Sequence, residues 1–113
     1  MNHRYLVRLP LRVPVEVFKQ EQFLGRYITR NMDVEGVFIE IRTTDLEAND
    51  VVKLVFILPD GGSRQHTLMA GVVRVDGEGA GMMLFDYEHK APNILRAVDR
   101  SSWASDRLAQ VAL

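Results

Sequence analysis

The sequence predicts a mostly β protein: a six-stranded antiparallel barrel followed by a C-terminal α-helix. Three observations lead there. Apolar and polar residues alternate at period two around Val13, Val15 and Val17, and again around Val37, Ile39 and Ile41, as strands with one buried face require. Turn signals such as Pro59-Asp60-Gly61-Gly62 and Asp76-Gly77-Glu78-Gly79 cut the apolar runs into short pieces. Short strands in an open sheet would expose unpaired edges, and closure into a barrel removes them.

The first strand follows from Val13, Val15 and Val17 set between Arg12, Pro14 and Glu16. A turn at Lys19-Gln20-Glu21 leads to Phe23 to Thr29, rich in the aromatic and β-branched residues that strands favour. Val37, Ile39 and Ile41 make the third strand. Val51 to Leu58 is almost wholly apolar and is expected to be covered on both faces. Thr67 to Val75 is the fifth, and the Asp76 to Gly79 loop reverses the chain into Gly81 to Phe85, where methionine and leucine suit a core edge. From Pro92 the pattern changes. Proline suits a first helical position, and Ile94, Leu95, Val98, Trp103 and Leu108 fit one face of a helix, although Ser101-Ser102 weakens its middle.

At 113 residues the chain has room for one hydrophobic core. A single domain over 1–113 is expected, with an N-terminal arm at 1–11, the barrel at 12–87 and the helix at 91–110. Composition is that of an ordinary soluble protein, 47% hydrophobic and 26% charged. No run approaches the ~20 apolar residues of a membrane-spanning helix, and no signal peptide is evident. The absence of cysteine excludes disulfides, thiolate metal sites and a cysteine nucleophile, and fits a cytoplasmic setting. A net charge of −1 argues against a nucleic-acid partner held through phosphates, so an anionic ligand must be met by a local cluster of arginines.

The familiar catalytic patterns are missing. His3, His66 and His89 are far apart and lack metal-ligand spacing, so no metal is expected. There is no nucleophile elbow, phosphate-binding glycine loop or dinucleotide fingerprint, and the glycines at 77, 79 and 81 suit a hairpin. Asp45 and Glu47 fall in a polar connection, where solvated charge is commoner than acid–base chemistry. The expectation is a protein that binds and does not catalyse, with no cofactor.

Two segments stand out: Arg4-Tyr5-Leu6-Val7-Arg8, and Asn31-Met32-Asp33-Val34-Glu35-Gly36. Together they resemble the PilZ domain, which carries R-x-x-x-R before its first barrel strand and [DN]-h-S-x-x-G, with h apolar, after its second. Arg4 and Arg8 fit the first motif, and Asn31, Met32 and Gly36 fit the second. Leu9-Pro10-Leu11 and Pro14 to Val17, then Gly71 to Arg74 and Gly81 to Phe85, are similar to further family strands, so the resemblance runs to about Tyr87.

The resemblance implies a six-stranded PilZ-like barrel that receives the second messenger cyclic di-GMP. It implies ligand contacts from Arg4, Arg8, Asn31, Asp33 and Gly36, with Arg74 as a further candidate. Planar guanidinium forks suit a dianion with two guanines, since they pair with phosphate oxygens or with guanine O6 and N7. An arm bearing Arg4 and Arg8 that orders on binding would signal to an effector protein in motility, biofilm formation or surface attachment.

Each residue also has a plainer reading: a solvated basic N-terminus for Arg4 and Arg8, a turn glycine for Gly36, an exposed strand arginine for Arg74. Asp33 departs from the family's serine. At ~5 Å from a phosphate and an effective dielectric of ~20 its charge would cost about 3 kcal/mol. Facing guanine N–H donors, or paired with Arg8 or Arg30, the same charge becomes neutral or favourable. Two other functions compete. One is a ligand-independent adaptor of the same fold, for example in pilus assembly. The other is a small barrel stacking single-stranded nucleic acid on Phe23, Tyr27 and Phe38, against which the acidic balance argues.

Overall fold

The computed structural model describes residues 10–43, 45–58 and 65–97. Six strands form as expected: β1 (Pro14–Lys19), β2 (Gln22–Met32), β3 (Gly36–Ile39), β4 (Val51–Ile57), β5 (Gln65–Asp76) and β6 (Gly79–Phe85). They close into an antiparallel barrel in the order β1-β2-β3-β6-β5-β4. Sequential hairpins supply four of the pairings. The two that close the wall, β1 with β4 and β3 with β6, join residues distant in the chain. A helix, α1, covers residues 91–97; the remainder of the expected helix, to residue 110, lies outside the described residues.

Alternate residues of every strand fill the interior. Val15 and Val17 of β1, Leu54 and Phe56 of β4, and Ile39 of β3 are fully buried. Ala91 and Ile94 of α1 join the same core, so the helix completes it from outside the sheet. Asp86 fixes where α1 begins: its Oδ1 accepts the Lys90 N–H and its Oδ2 the Ala91 N–H, each at 2.7 Å. Two of the helix's otherwise orphaned donors are thereby satisfied.

Two expectations about strands need correction. β4 is covered on both faces only over part of its length: Val52, Leu54 and Phe56 point inward and Val55 on the outer side is 7% exposed, but Val51 is 51% exposed and Lys53 is exposed. The barrel interior receives one face of the strand, and at Val51 no described residue shields the other. The third strand ends at Ile39 and not at Ile41: the Ile41 N–H turns back to the Ile39 carbonyl at 2.8 Å, a tight γ-turn that still delivers the Ile41 side chain to the core.

The segment leading into β1 is pinned to β2 by Thr29, which is 1% exposed. Its Oγ1 accepts the Val13 N–H at 2.9 Å and donates to the Leu11 carbonyl at 2.5 Å. The Thr29 N–H in turn donates to the Val13 carbonyl at 3.0 Å.

Candidate functional site

Strand register builds one row of outward side chains. Met32, Val37, Met82 and Val72 are paired across β2, β3, β6 and β5 and all are buried in the core. The adjacent row, Asn31, Phe38, Gly81 and Arg74, is paired across the same four strands and therefore faces outward. A bulge interrupts the ladder at each side of this row, between Thr29 and Asn31 in β2 and between Val72 and Arg74 in β5. A bulge re-aims its extra residue. In β2 that residue is Arg30, which joins Asn31 on the face of Phe38.

Phe38 is the floor. The residue is only 5% exposed although it lies outside the barrel core. The Arg30 Cζ stands 4.7 Å from the ring centroid and the Arg74 Cζ 5.8 Å, so two guanidinium groups cover one aromatic ring. Glycines make the room. A Cβ on Gly79, whose φ is +155°, would lie 2.9 Å from Phe38 Cε1 and 2.1 Å from the Ile39 carbonyl oxygen; one on Gly81 would lie 3.5 Å from Arg74 Cγ.

Carboxylates hold the arginines in line. Arg12 grips Glu40 with both terminal nitrogens, each at 3.2 Å. Arg30 Nε donates to the same Glu40 at 3.1 Å, and Arg30 Nη1 donates to Glu78 at 3.2 Å. Hydrogen bonds from Arg12 and then Arg30 hold the Glu40 carboxyl below the usual carboxylate range. The hydrogen bond to Glu40 pushes the Arg30 pKa upward, so its charge is permanent.

Asn31 Oδ1 is buried and accepts no hydrogen bond among the described residues. A buried acceptor left in that state costs about 1–3 kcal/mol, which a donor from a ligand would recover.

Asp33 and Gly36 have well-defined local roles. Asp33 Oδ1 accepts the N–H groups of Glu35 at 2.8 Å and Gly36 at 2.7 Å, while the Asp33 N–H donates to the Gly36 carbonyl at 2.9 Å. The carboxylate thus closes the β2–β3 turn as a serine hydroxyl would, only more strongly. Asp76 does the same at the β5–β6 turn, accepting from Glu78 and Gly79. The two turns share the pattern Asp-x-Glu-Gly, at 33–36 and 76–79, a repeat legible in the sequence but not used in reading it. Of the partners weighed for Asp33, Arg30 is bonded to Glu40 and Glu78 instead. Left-handed backbone falls on Gly25 and Gly79 among the described glycines; Gly36 opens β3, buried, opposite Met83 of β6.

The structure therefore brings Asn31, Asp33, Gly36 and Arg74 to one outer wall of the barrel. Arg4 and Arg8 lie outside the described residues. Sequence reading missed Arg30 and the role of Phe38 here, because neither bulge has a sequence signature. The three aromatics weighed as stacking platforms each have partners within the barrel wall. Phe38 is covered by arginines, Tyr27 Oη donates to the Leu24 carbonyl at 2.9 Å, and the exposed Phe23 ring packs against Phe18 at 5.3 Å. Among the described residues no helix is long and apolar enough to cross a membrane.

Comparison with known proteins agrees with this architecture. The chain is similar in structure to the PilZ domain of CeSA from a cellulose-synthesizing bacterium, with a TM-score of 0.66 and 19% identity over 85% of this chain and 98% of that one. It is also similar to the Bacillus subtilis inhibitor of motility MotI/DgrA, with a TM-score of 0.62 and 13% identity over 87% of this chain, which spans only 50% of that protein. No curated protein matches the chain. The family model of the PilZ domain matches residues 2–97. With both motif segments inside that match and a closed six-stranded barrel behind it, the chain belongs to the PilZ domain family.

Proposed function

We propose that this chain is a cyclic di-GMP receptor. On this reading it is a PilZ-type adaptor that works by binding alone, in the cytoplasm, and passes its signal to an effector protein as the N-terminal arm orders. Asn31 carries the reading: a buried side-chain acceptor without a partner among the described residues, set on a face lined by guanidinium groups, fits the N1–H and N2–H₂ donors of a guanine. The approach of the chain supports it. Leu11 and Val13 are bonded to Thr29, two residues from Asn31, and Arg8 stands three residues before Leu11. Arg4 and Arg8 are therefore within chain reach of the same wall, where they would meet the phosphates.

Asp33 fits this reading as a turn-former. One of its oxygens is committed to the turn's own N–H groups, which draws charge toward the backbone and away from an incoming phosphate.

Calorimetric titration with cyclic di-GMP, together with thermal melts, tests the proposal. A ligand that binds only the folded state raises the melting temperature. Wild type should bind and melt higher; Arg8→Ala and Asn31→Ala should each weaken binding, the latter by about 1–3 kcal/mol, or roughly 5- to 150-fold. Asp33→Ser should bind as tightly or more tightly. Binding by that variant but not by wild type would mean the carboxylate blocks the site. Silence from every protein would leave the ligand-independent adaptor as the better account.

A further inference from the structure

Arg30 precedes the second motif and has no part in it, yet the fold gives it the most deliberate placement on the wall. The β2 bulge turns it onto Phe38, Glu40 holds its Nε from one side, and Glu78 meets its Nη1 from the other. The two carboxylates are unequal. Glu40 is 28% exposed and is shared with Arg12, so it is anchored by two cations. Glu78 is 73% exposed, follows Gly77 in the β5–β6 turn, and among the described residues pairs only with Arg30. An exposed pair of this kind is weak.

We infer that Arg30 is a further binding residue for an anionic, base-bearing ligand, a phosphate oxygen taking the place that Glu78 holds before binding. Glu40 and Phe38 keep the guanidinium in position throughout, so little side-chain entropy is lost when the exchange occurs. Glu78 is then a competitor built into the turn. It neutralises Arg30 while the site is empty, opposes ligands of low charge, and yields to a dianion. Arg74, on the other side of the same ring, leaves a positively charged frame around Phe38 and beside Asn31.

The inference rests on the cyclic di-GMP reading and separates from it in one experiment. Cyclic di-GMP is titrated by calorimetry into wild type, Glu78→Gln, Arg30→Met and the double variant, the methionine keeping an unbranched stem over Phe38. Removing the competing charge should tighten binding about 3- to 10-fold in Glu78→Gln. Removing a charge-assisted contact should weaken it about 10- to 100-fold in Arg30→Met. On the Arg30→Met background the Glu78→Gln change should matter less than about twofold, since its target is gone. Binding by wild type that neither single variant alters, or equal effects of Glu78→Gln on both backgrounds, overturns the role of Arg30 alone. No binding by any of the four proteins overturns the ligand reading and this inference with it.

Discussion

Thr29→Val is the substitution whose cost the structure specifies most closely. Valine matches threonine in shape, so no cavity opens and the core around residue 29 is unchanged. What is lost is one hydroxyl that accepts the Val13 N–H and donates to the Leu11 carbonyl. Both backbone groups sit in buried surroundings, with Leu11 and Val13 at 6% and 4% exposure. The Leu11 carbonyl and Val13 N–H would each carry a desolvation penalty of about 1–3 kcal/mol, offset in part by no longer burying the hydroxyl, for a net loss of about 2–4 kcal/mol. At roughly 4–8 °C per kcal/mol for a domain of this size, the melting temperature should fall by about 10–30 °C.

Urea unfolding followed by far-ultraviolet circular dichroism measures this directly, with the slope against denaturant expected to stay constant. Thr29→Ser is the control, since it keeps both hydrogen bonds and gives up one methyl, at about 1 kcal/mol. If valine costs no more than serine, the hydroxyl does not pin the segment, and the reasoning that places the arm's root beside Asn31 fails. If the reasoning holds, Thr29→Val should also weaken cyclic di-GMP binding, because the arm must then be ordered from a looser starting point.

Three further substitutions probe the wall and its turns. Gly79→Ala forces a methyl to within 2.1 Å of the Ile39 carbonyl at a φ of +155°, and should cost more than about 2 kcal/mol in chemical denaturation. Gly77→Ala in the same turn meets nothing within 4 Å and should be neutral or stabilising by up to about 1 kcal/mol. Glu40, held below the usual carboxylate range by Arg12 and Arg30, contributes stability that is present above its unfolded value of about 4.3 and is lost as pH falls through the folded value. Glu40→Gln should therefore flatten the fall in stability on acidification below about pH 4.5, and a slope identical to wild type would show that the pair adds nothing.

Much of the fold was legible because a barrel imposes a simple code. Period-two alternation identifies strands, and the Pro59 to Gly62 and Asp76 to Gly79 clusters mark reversals. The limits of that code show at Val51 and Ile41. An all-apolar run reads as doubly covered, but exposure of Val51 depends on whether another element lies over it. Ile41 keeps the alternation of β3 while a γ-turn has already ended the strand. Local pattern constrains which way a side chain points and says less about how the backbone delivers it.

The candidate site divides along the same line. Asn31, Asp33 and Gly36 are close in the chain, so their proximity and the turn they form are matters of local chemistry, and sequence alone determined the barrel class, the family and this turn. Arg74 and Phe38 meet only through β3–β6 pairing, and Arg30 and Arg74 converge on one ring only because two bulges shift the register on either side of it. Neither event has a local signature, since a bulge is settled by how a whole strand must fit its neighbours as the sheet curves and closes. Tertiary structure alone therefore decided the arginine frame around Phe38, the Glu40 and Glu78 contacts that hold it, and the buried position of the Asn31 acceptor.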